Sequence, residues 1–328
     1  MEIKFNYFRK ARIAKQWFIP VMALLMPLIF LASCKKDKTE KFNKAQLTVF
    51  QYISTNKQLS IYQAALKRAG LYNAETFSNG GPFTVFAPVD SAFISAGITL
   101  DSINKYDPQT LAQVLKYGIV NGRISSTSLV GLYSEDVTTL NMLYKPTITK
   151  NYYGIFFNGV PLVAGGSADL NDGVVQELQK TSFPPVGTIL DVIKKAPDLT
   201  MLAAAIKALN LETKFSTIGV NSTYWTLLAP NDNAFKKFGY PDTASIYADP
   251  SKLSLVLQVS TLGGQQRLFT SSFLGGYAIG GKQFYVEPDG ITIESIGNTG
   301  STHIIRSNIM ATNGVVQEVD QVLTPYLF

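Results

Sequence analysis

The chain repeats itself, and that constrains it more than any other feature of its 328 residues. Val49-Phe50-Gln51-Tyr52-Ile53 through Leu71 realigns with Ile189-Leu190-Asp191-Val192-Ile193 through Leu211, shifted by 140. Phe83 to Phe93 matches Trp225 to Phe235 at 142, and Asp172 to Leu178 matches Asn313 to Val319 at 141. Three blocks in one order at nearly constant spacing call for two copies of one folding unit. A chain of this length has room for about two domains of ~100–200 residues, each with its own core. The copies meet around Ser182-Phe183-Pro184-Pro185-Val186-Gly187. Paired prolines extend neither a helix nor a central strand, so a short, stiff linker is expected over 182–188, between domains at 45–181 and 189–328.

Both copies share a layout. Leu59, Tyr62, Ala65, Leu66 and Ala69, like Leu199, Leu202, Ala205, Ile206 and Leu209, recur at three- and four-residue steps, which predicts amphipathic helices. A short apolar strand then runs into Ala87-Pro88 or Ala229-Pro230, after which Asp90 and Asp232 are placed to N-cap the next helix. A further helix over Leu111 to Leu115 leads to Tyr117-Gly118-Ile119-Val120. Asn158-Gly159 between Ile155-Phe156-Phe157 and Val160-Pro161-Leu162 predicts a hairpin, and Asp289-Gly290 is expected to play the same part in the second copy. Helices first and strands later indicate α+β rather than a parallel βαβ sheet.

The formal charge of +6 suggests nucleic acid until it is located. Residues 1–33 hold five basic residues against Glu2, and Lys35, Lys36, Lys38 and Lys41 outnumber Asp37 and Glu40. The remaining residues, 42–328, carry 20 basic and 20 acidic side chains, so the folded part has no net excess with which to neutralise phosphates. The basic start precedes an apolar run from Trp17 to Phe30 that ends in small residues. With Pro20 and Pro27 inside it, the run reads as an export signal over 1–33 rather than a permanent spanning helix.

Leu31-Ala32-Ser33-Cys34 resembles the lipobox of bacterial lipoproteins, and Cys34 is the only cysteine of the chain. The resemblance implies cleavage between Ser33 and Cys34, acylation of Cys34 by palmitate-type chains, and a tether over 34–44. Each buried CH₂ contributes ~0.8 kcal/mol, so two or three chains anchor stably. Lys35 follows the cysteine where inner-membrane lipoproteins often carry Asp, which implies the outer membrane of the cell envelope. Lys35-Lys36-Asp37-Lys38 loosely resembles the surface-export tethers of Bacteroidetes lipoproteins, which implies surface exposure.

Thr84-Val85-Phe86-Ala87-Pro88-Val89-Asp90-Ser91-Ala92-Phe93 is similar to the first signature box of the fasciclin-like domain, an extracellular adhesion module. Thr226, Ala229, Pro230, Asp232, Ala234 and Phe235 keep it in the second copy. Asn313-Gly314-Val315-Val316-Gln317-Glu318-Val319-Asp320 resembles the second box, and Asp172 to Leu178 does so more loosely. The resemblance covers roughly 45–328 and implies one compact wedge of two β-sheets, with helices packed around it, per repeat, its motif residues mainly structural. Tyr117-Gly118 and Val259-Ser260 stand where the family often has Tyr-His, and Gln176 and Gln317 where it often has His. The adhesion motifs of animal members are therefore not carried over.

Nucleophilic catalysis of the Ser-His-Asp or Cys-His kind needs a histidine beside a nucleophile. The sole histidine, His303, sits in what reads as a strand, and Cys34 is committed to lipid. No catalytic, metal or cofactor set emerges, and the glycine pairs lack phosphate-loop spacing. Asp101-Ser102-Ile103 and Asp242-Thr243-Ala244 resemble O-glycan acceptor triplets and also fit helix or turn starts. Tyr152-Tyr153-Gly154-Ile155-Phe156-Phe157 is the richest aromatic stretch, read either as a half-buried strand or as a face for sugars or an apolar partner. The expected function is a lipid-anchored, non-enzymatic adhesion or binding protein whose ligand is a glycan or a surface or matrix protein. Beside it stand an accessory lipoprotein of an outer-membrane glycan or nutrient importer, and a hydrolase built from carboxylates.

Overall fold

The computed structural model describes residues 47–125, 128–219, 223–279 and 284–325. The export signal, the Ser33–Cys34 cleavage site and the tether lie outside the described residues. Both repeats fall within one compact unit. Among the described residues, no helix is long and apolar enough to cross a membrane.

Repeat one begins with helices α1 (Val49–Thr55), α2 (Ser60–Arg68) and α3 (Ala74–Ser78), followed by strand β1 (Phe83–Pro88). Helices α4 (Asp90–Ser95), α5 (Leu100–Lys105) and α6 (Pro108–Tyr117) come next. Six strands complete it: β2 (Ile119–Asn121), β3 (Tyr133–Asp136), β4 (Thr147–Asn151), β5 (Gly154–Phe157), β6 (Val160–Asp169) and β7 (Gly173–Leu178). Repeat two runs α7 (Ile189–Lys195), α8 (Thr200–Ala208), α9 (Glu212–Ser216), β8 (Tyr224–Pro230), α10 (Asp232–Phe238), α11 (Thr243–Ala248), α12 (Ser251–Val259) and β9 (Thr261–Gly264). It ends with α13 (Thr270–Phe273), β10 (Tyr277–Ile279), β11 (Phe284–Val286), β12 (Thr292–Ser295), β13 (Thr302–Ala311) and β14 (Gly314–Val319).

Each repeat builds one curled seven-stranded sheet, ordered β2-β1-β7-β6-β5-β4-β3 and, equivalently, β9-β8-β14-β13-β12-β11-β10. The fold is α+β, with one parallel pair (β1 with β7, β8 with β14) in each otherwise antiparallel sheet. Register breaks in β6 between Leu162 and Ser167, and in β13 between Ile304 and Ile309, turn the sheet over on itself. A single folded-over sheet thus takes the place of two separate ones.

Side-chain alternation on the first strand of each sheet divides the core. Val85 and Ala87 point to a helix-side cluster with Ile53, Leu66, Phe93 and Leu115. Phe86, between them, enters a second cluster inside the curl with Tyr117, Ile148, Phe157 and Leu178. Leu227 and Ala229 face Leu202, Phe235 and Leu257, whereas Leu228 joins Phe273, Phe284 and Val319. At about 1.5–3 kcal/mol for each fully buried large apolar side chain, these clusters supply the driving force.

Local chemistry sets the helix starts. Thr48 and Thr188 form capping boxes with Gln51 and Asp191, and Asp107 caps α6 ahead of Pro108. Ser102 belongs to the capping box of α5, and Asp242 caps α11, so both glycan-like triplets are helix starts.

Two expectations are corrected. Asp90 and Asp232 do not cap their own helices: the N-cap of α4 is Val89, with no side-chain bond, and that of α10 is Asn231. Asp90 accepts instead from the Ile61 N–H at 2.8 Å and the Ser60 hydroxyl at 2.6 Å, and Asp232 from Met201 N–H at 2.8 Å and Thr200 at 2.7 Å. At the first position of its own helix, each aspartate reaches one open N–H and one hydroxyl at the start of a neighbouring helix. The second correction concerns turns. Asn158-Gly159, with φ of 48° and 74°, joins β5 to β6, but Asp289-Gly290 joins β11 to β12, the counterparts of β4 and β5. Its positional equivalent is therefore the Tyr152-Tyr153 turn.

Candidate functional site

The signature residues hold the sheet together. Thr84 Oγ1 accepts from Ile124 N–H at 2.7 Å and donates to Gly122 O at 2.7 Å, while Thr226 Oγ1 accepts from Leu268 N–H at 2.9 Å. Phe86, Ala87, Phe93, Ala229 and Phe235 are core, and Pro88 and Pro230 end the strands that precede α4 and α10. Asn313 Oδ1 receives the Ile189 N–H at 2.8 Å, and its Nδ2 donates to Phe215 O and Thr217 O, both at 2.9 Å. A Cβ on Gly314 would run into the Trp225 carbonyl, so the parallel pair needs glycine there. Gln176 and Gln317, standing where histidines were sought, donate to Ile124 O at 2.8 Å and Leu268 O at 3.2 Å. His303 lies on β13 with Nδ1 at 3.4 Å from Asp320, whose carboxylate also takes the His303 N–H.

The repeats dock through groups that sequence reading did not single out. Arg267, its side chain only 7% exposed, places Nη1 at 3.0 Å and 3.2 Å from the two Asp136 oxygens, and its guanidinium carbon lies 4.0 Å from the centre of the Tyr224 ring. Thr147 donates to the same carboxylate at 2.5 Å. Around this pair, Gln266 Nε2 donates to Ser134 O and Asn151 Nδ2 to Ser271 O, both at 2.9 Å. A Cβ at Gly159 would lie 2.5 Å from Phe269 Cβ and 2.7 Å from Asn308 Nδ2, so the β5–β6 turn is pressed flat against repeat two. Arg267 and Asp136 are 131 positions apart, a separation that leaves no periodic trace.

The aromatic stretch divides between its two readings. Ile155, Phe156 and Phe157 are buried, Tyr153 packs its ring against Gly275, and Tyr152 stands 90% exposed at the tip of the β4–β5 turn. The Tyr133–Lys150 pairing brings the end of β3 beside that turn, next to Leu132 and an 89%-exposed Val130. Clustered exposed apolar side chains are the usual mark of a contact surface. They form an apolar edge at the tip of the hairpin whose Asn151 and Tyr153 meet repeat two.

Comparison with known proteins matches the fasciclin domain model to residues 57–181 and 197–325. The chain is 25% identical over 248 residues to transforming growth factor-beta-induced protein ig-h3 of Sus scrofa, covering 75% of this chain and 35% of that protein. It is 24% identical over 264 residues to human periostin (76% and 29%), and 27% identical over 190 residues to Protein sll1483 of Synechocystis (54% and 98%). The chain thus spans about a third of the length of ig-h3 and periostin. Among solved structures, a FAS1 domain pair from the insect cell adhesion molecule Fasciclin I aligns at 17% identity with a TM-score of 0.35, over 82% of this chain and 96% of that one.

Proposed function

The chain belongs to the fasciclin domain family, and from that membership we propose that it is a non-enzymatic binding protein of the cell exterior, presenting two coupled modules to a protein or glycan partner. The observation that carries the reading is the exposed apolar edge of Val130, Leu132 and Tyr152 beside a docked interface. Tyr and neighbouring aliphatic side chains gain most from desolvation when a partner covers them, and little order is lost because the turn that carries Tyr152 is already fixed by Tyr153 and Asn151. Two modules on one chain raise avidity towards a repetitive ligand if both engage. Motif residues such as Thr84, Asp90, Asp232 and Asn313 serve the scaffold rather than the ligand. Acyl chains on Cys34 hold the chain at the outer membrane, and the domains comprise 45–181 and 189–328.

Binding of the purified chain to matrix proteins, a glycan array and whole cells tests the reading. Specific binding that falls on Tyr152→Ala with Leu132→Ser supports it. Absence of binding to all three, or binding unaffected by the pair, overturns it. For the anchor, mass spectrometry of the mature protein is expected to show an acylated Cys34 terminus, and a free thiol there removes it from the proposal.

A further inference from the structure

Repeat one contains a cavity of about 440 Å³ that lies between its two core clusters, with Phe86 and Phe157 on one side, Tyr62 and Leu115 on another, and Phe183 of the inter-repeat segment closing a third. No Asp, Glu, Lys, Arg or His lines it. Tyr62 is 1% exposed, and its hydroxyl has no hydrogen-bond partner among the described residues. An unpaired buried hydroxyl in an apolar wall is a standing cost to the fold.

Repeat two shows how the space arises. Ile98 N–H bonds Phe93 O at 2.9 Å as Tyr240 N–H bonds Phe235 O at 3.0 Å, and Gly97 and Gly239 share positive φ, so the two segments correspond residue by residue. Phe238 and Tyr240 then occupy the positions of Ala96 and Ile98, both of which line the cavity. Tyr240 is buried and donates its hydroxyl to Asp249 O at 2.7 Å. Leu202 stands in place of Tyr62, so repeat two carries no hydroxyl at that position. Repeat one therefore carries smaller side chains at two positions where repeat two has aromatic rings, and a buried hydroxyl without a partner among the described residues in the wall.

We propose that this cavity binds an uncharged, mainly apolar small molecule bearing one oxygen, as a ketone, ester or alcohol, that pairs with the Tyr62 hydroxyl. Its volume lies within the range of small-molecule sites, and the uncharged lining disfavours ionised ligands. The site is independent of the apolar edge and of Cys34.

The test uses the neutral dye N-phenyl-1-naphthylamine with the full chain in detergent-free buffer, displaced by 2-decanone or by decane. Saturable fluorescence enhancement is expected, with the ketone displacing better than the alkane. Ala96→Phe with Ile98→Tyr installs the side chains repeat two already accommodates and should abolish the enhancement while circular dichroism stays unchanged. Tyr62→Phe should keep dye binding and remove the ketone's advantage, a change of about two- to tenfold. Enhancement that survives the filled variant, or a ketone advantage that survives Tyr62→Phe, overturns the proposal. Should the filled variant misfold, the Tyr62→Phe comparison decides alone.

Discussion

Arg267 of the second repeat closes on Asp136 of the first at 3.0 Å, with the guanidinium lying over Tyr224. The arginine is nearly buried, and its Nε has no partner among the described residues, so it depends on that carboxylate. Asp136→Ala should destabilise the chain by about 2–4 kcal/mol, because it strands a buried charge. Combining it with Arg267→Met should recover much of the loss. Calorimetry is the check, and the single variant is expected to split one unfolding transition into two. A variant that melts like the parent refutes this account of the junction.

Gly159 sits at φ of 74° with Phe269 and Asn308 against it. Gly159→Ala adds both backbone strain and overlap, and should cost about 2–4 kcal/mol. Gly131, with φ of 69° and open space around it, is the control: its alanine variant carries the conformational cost alone. Equal losses at the two positions would mean the docking contact contributes nothing.

The bonds from Asp90 to Ser60 and Ile61 recur as Asp232 to Thr200 and Met201. Asp90→Ala and Asp232→Ala should each cost about 1–2 kcal/mol, and Asp→Asn distinctly less, because the amide oxygen still accepts the helix N–H. Urea denaturation of the four variants measures this. Chemistry confined to α4 and α10 themselves would leave hydrogen exchange at Ile61 and Met201 unchanged, whereas the observed bonds predict faster exchange there.

Acid should weaken the fold through its caps. The Thr110 N–H and hydroxyl hold the Asp107 carboxyl below the usual range, and the Thr188 hydroxyl and N–H do the same for Asp191. A depressed folded-state pKa gives stability that is present above the unfolded carboxyl value, about pH 4, and is lost as pH falls through the lower folded value. Asp107→Asn with Asp191→Asn keeps the acceptors and removes the titration, so melting temperature should fall less steeply below about pH 4. An acid limb identical to the parent's would exclude these two groups.

What could be read from the sequence was local or repeated. The three matching blocks, the Asn158-Gly159 hairpin and the helix over Leu111 to Leu115 all announce themselves within a few residues. Asp90 misled because its type and position fit a cap, while the N–H and the hydroxyl it serves belong to a helix that begins 30 positions earlier. Asp289-Gly290 is a genuine turn, but turn chemistry does not say which pair of strands it joins. The Arg267–Asp136 junction and the Tyr62 cavity depend on residues brought together only by the folded sheet. For the cavity a trace existed in the alignment itself, since Ala96 and Ile98 face Phe238 and Tyr240, but without packing a size change does not reveal a void.

The parallel pairing of the first and last strands of each sheet has a consequence for how the protein is made. Phe83 lies beside Gly173, and Trp225 beside Gly314, so the middle of each sheet stays open until the closing strand has been synthesised. Such distant pairings form slowly. A nascent repeat emerging from a ribosome therefore lingers as an unfinished chain until Leu178 or Val319 is free to slot in beside the strand that began it.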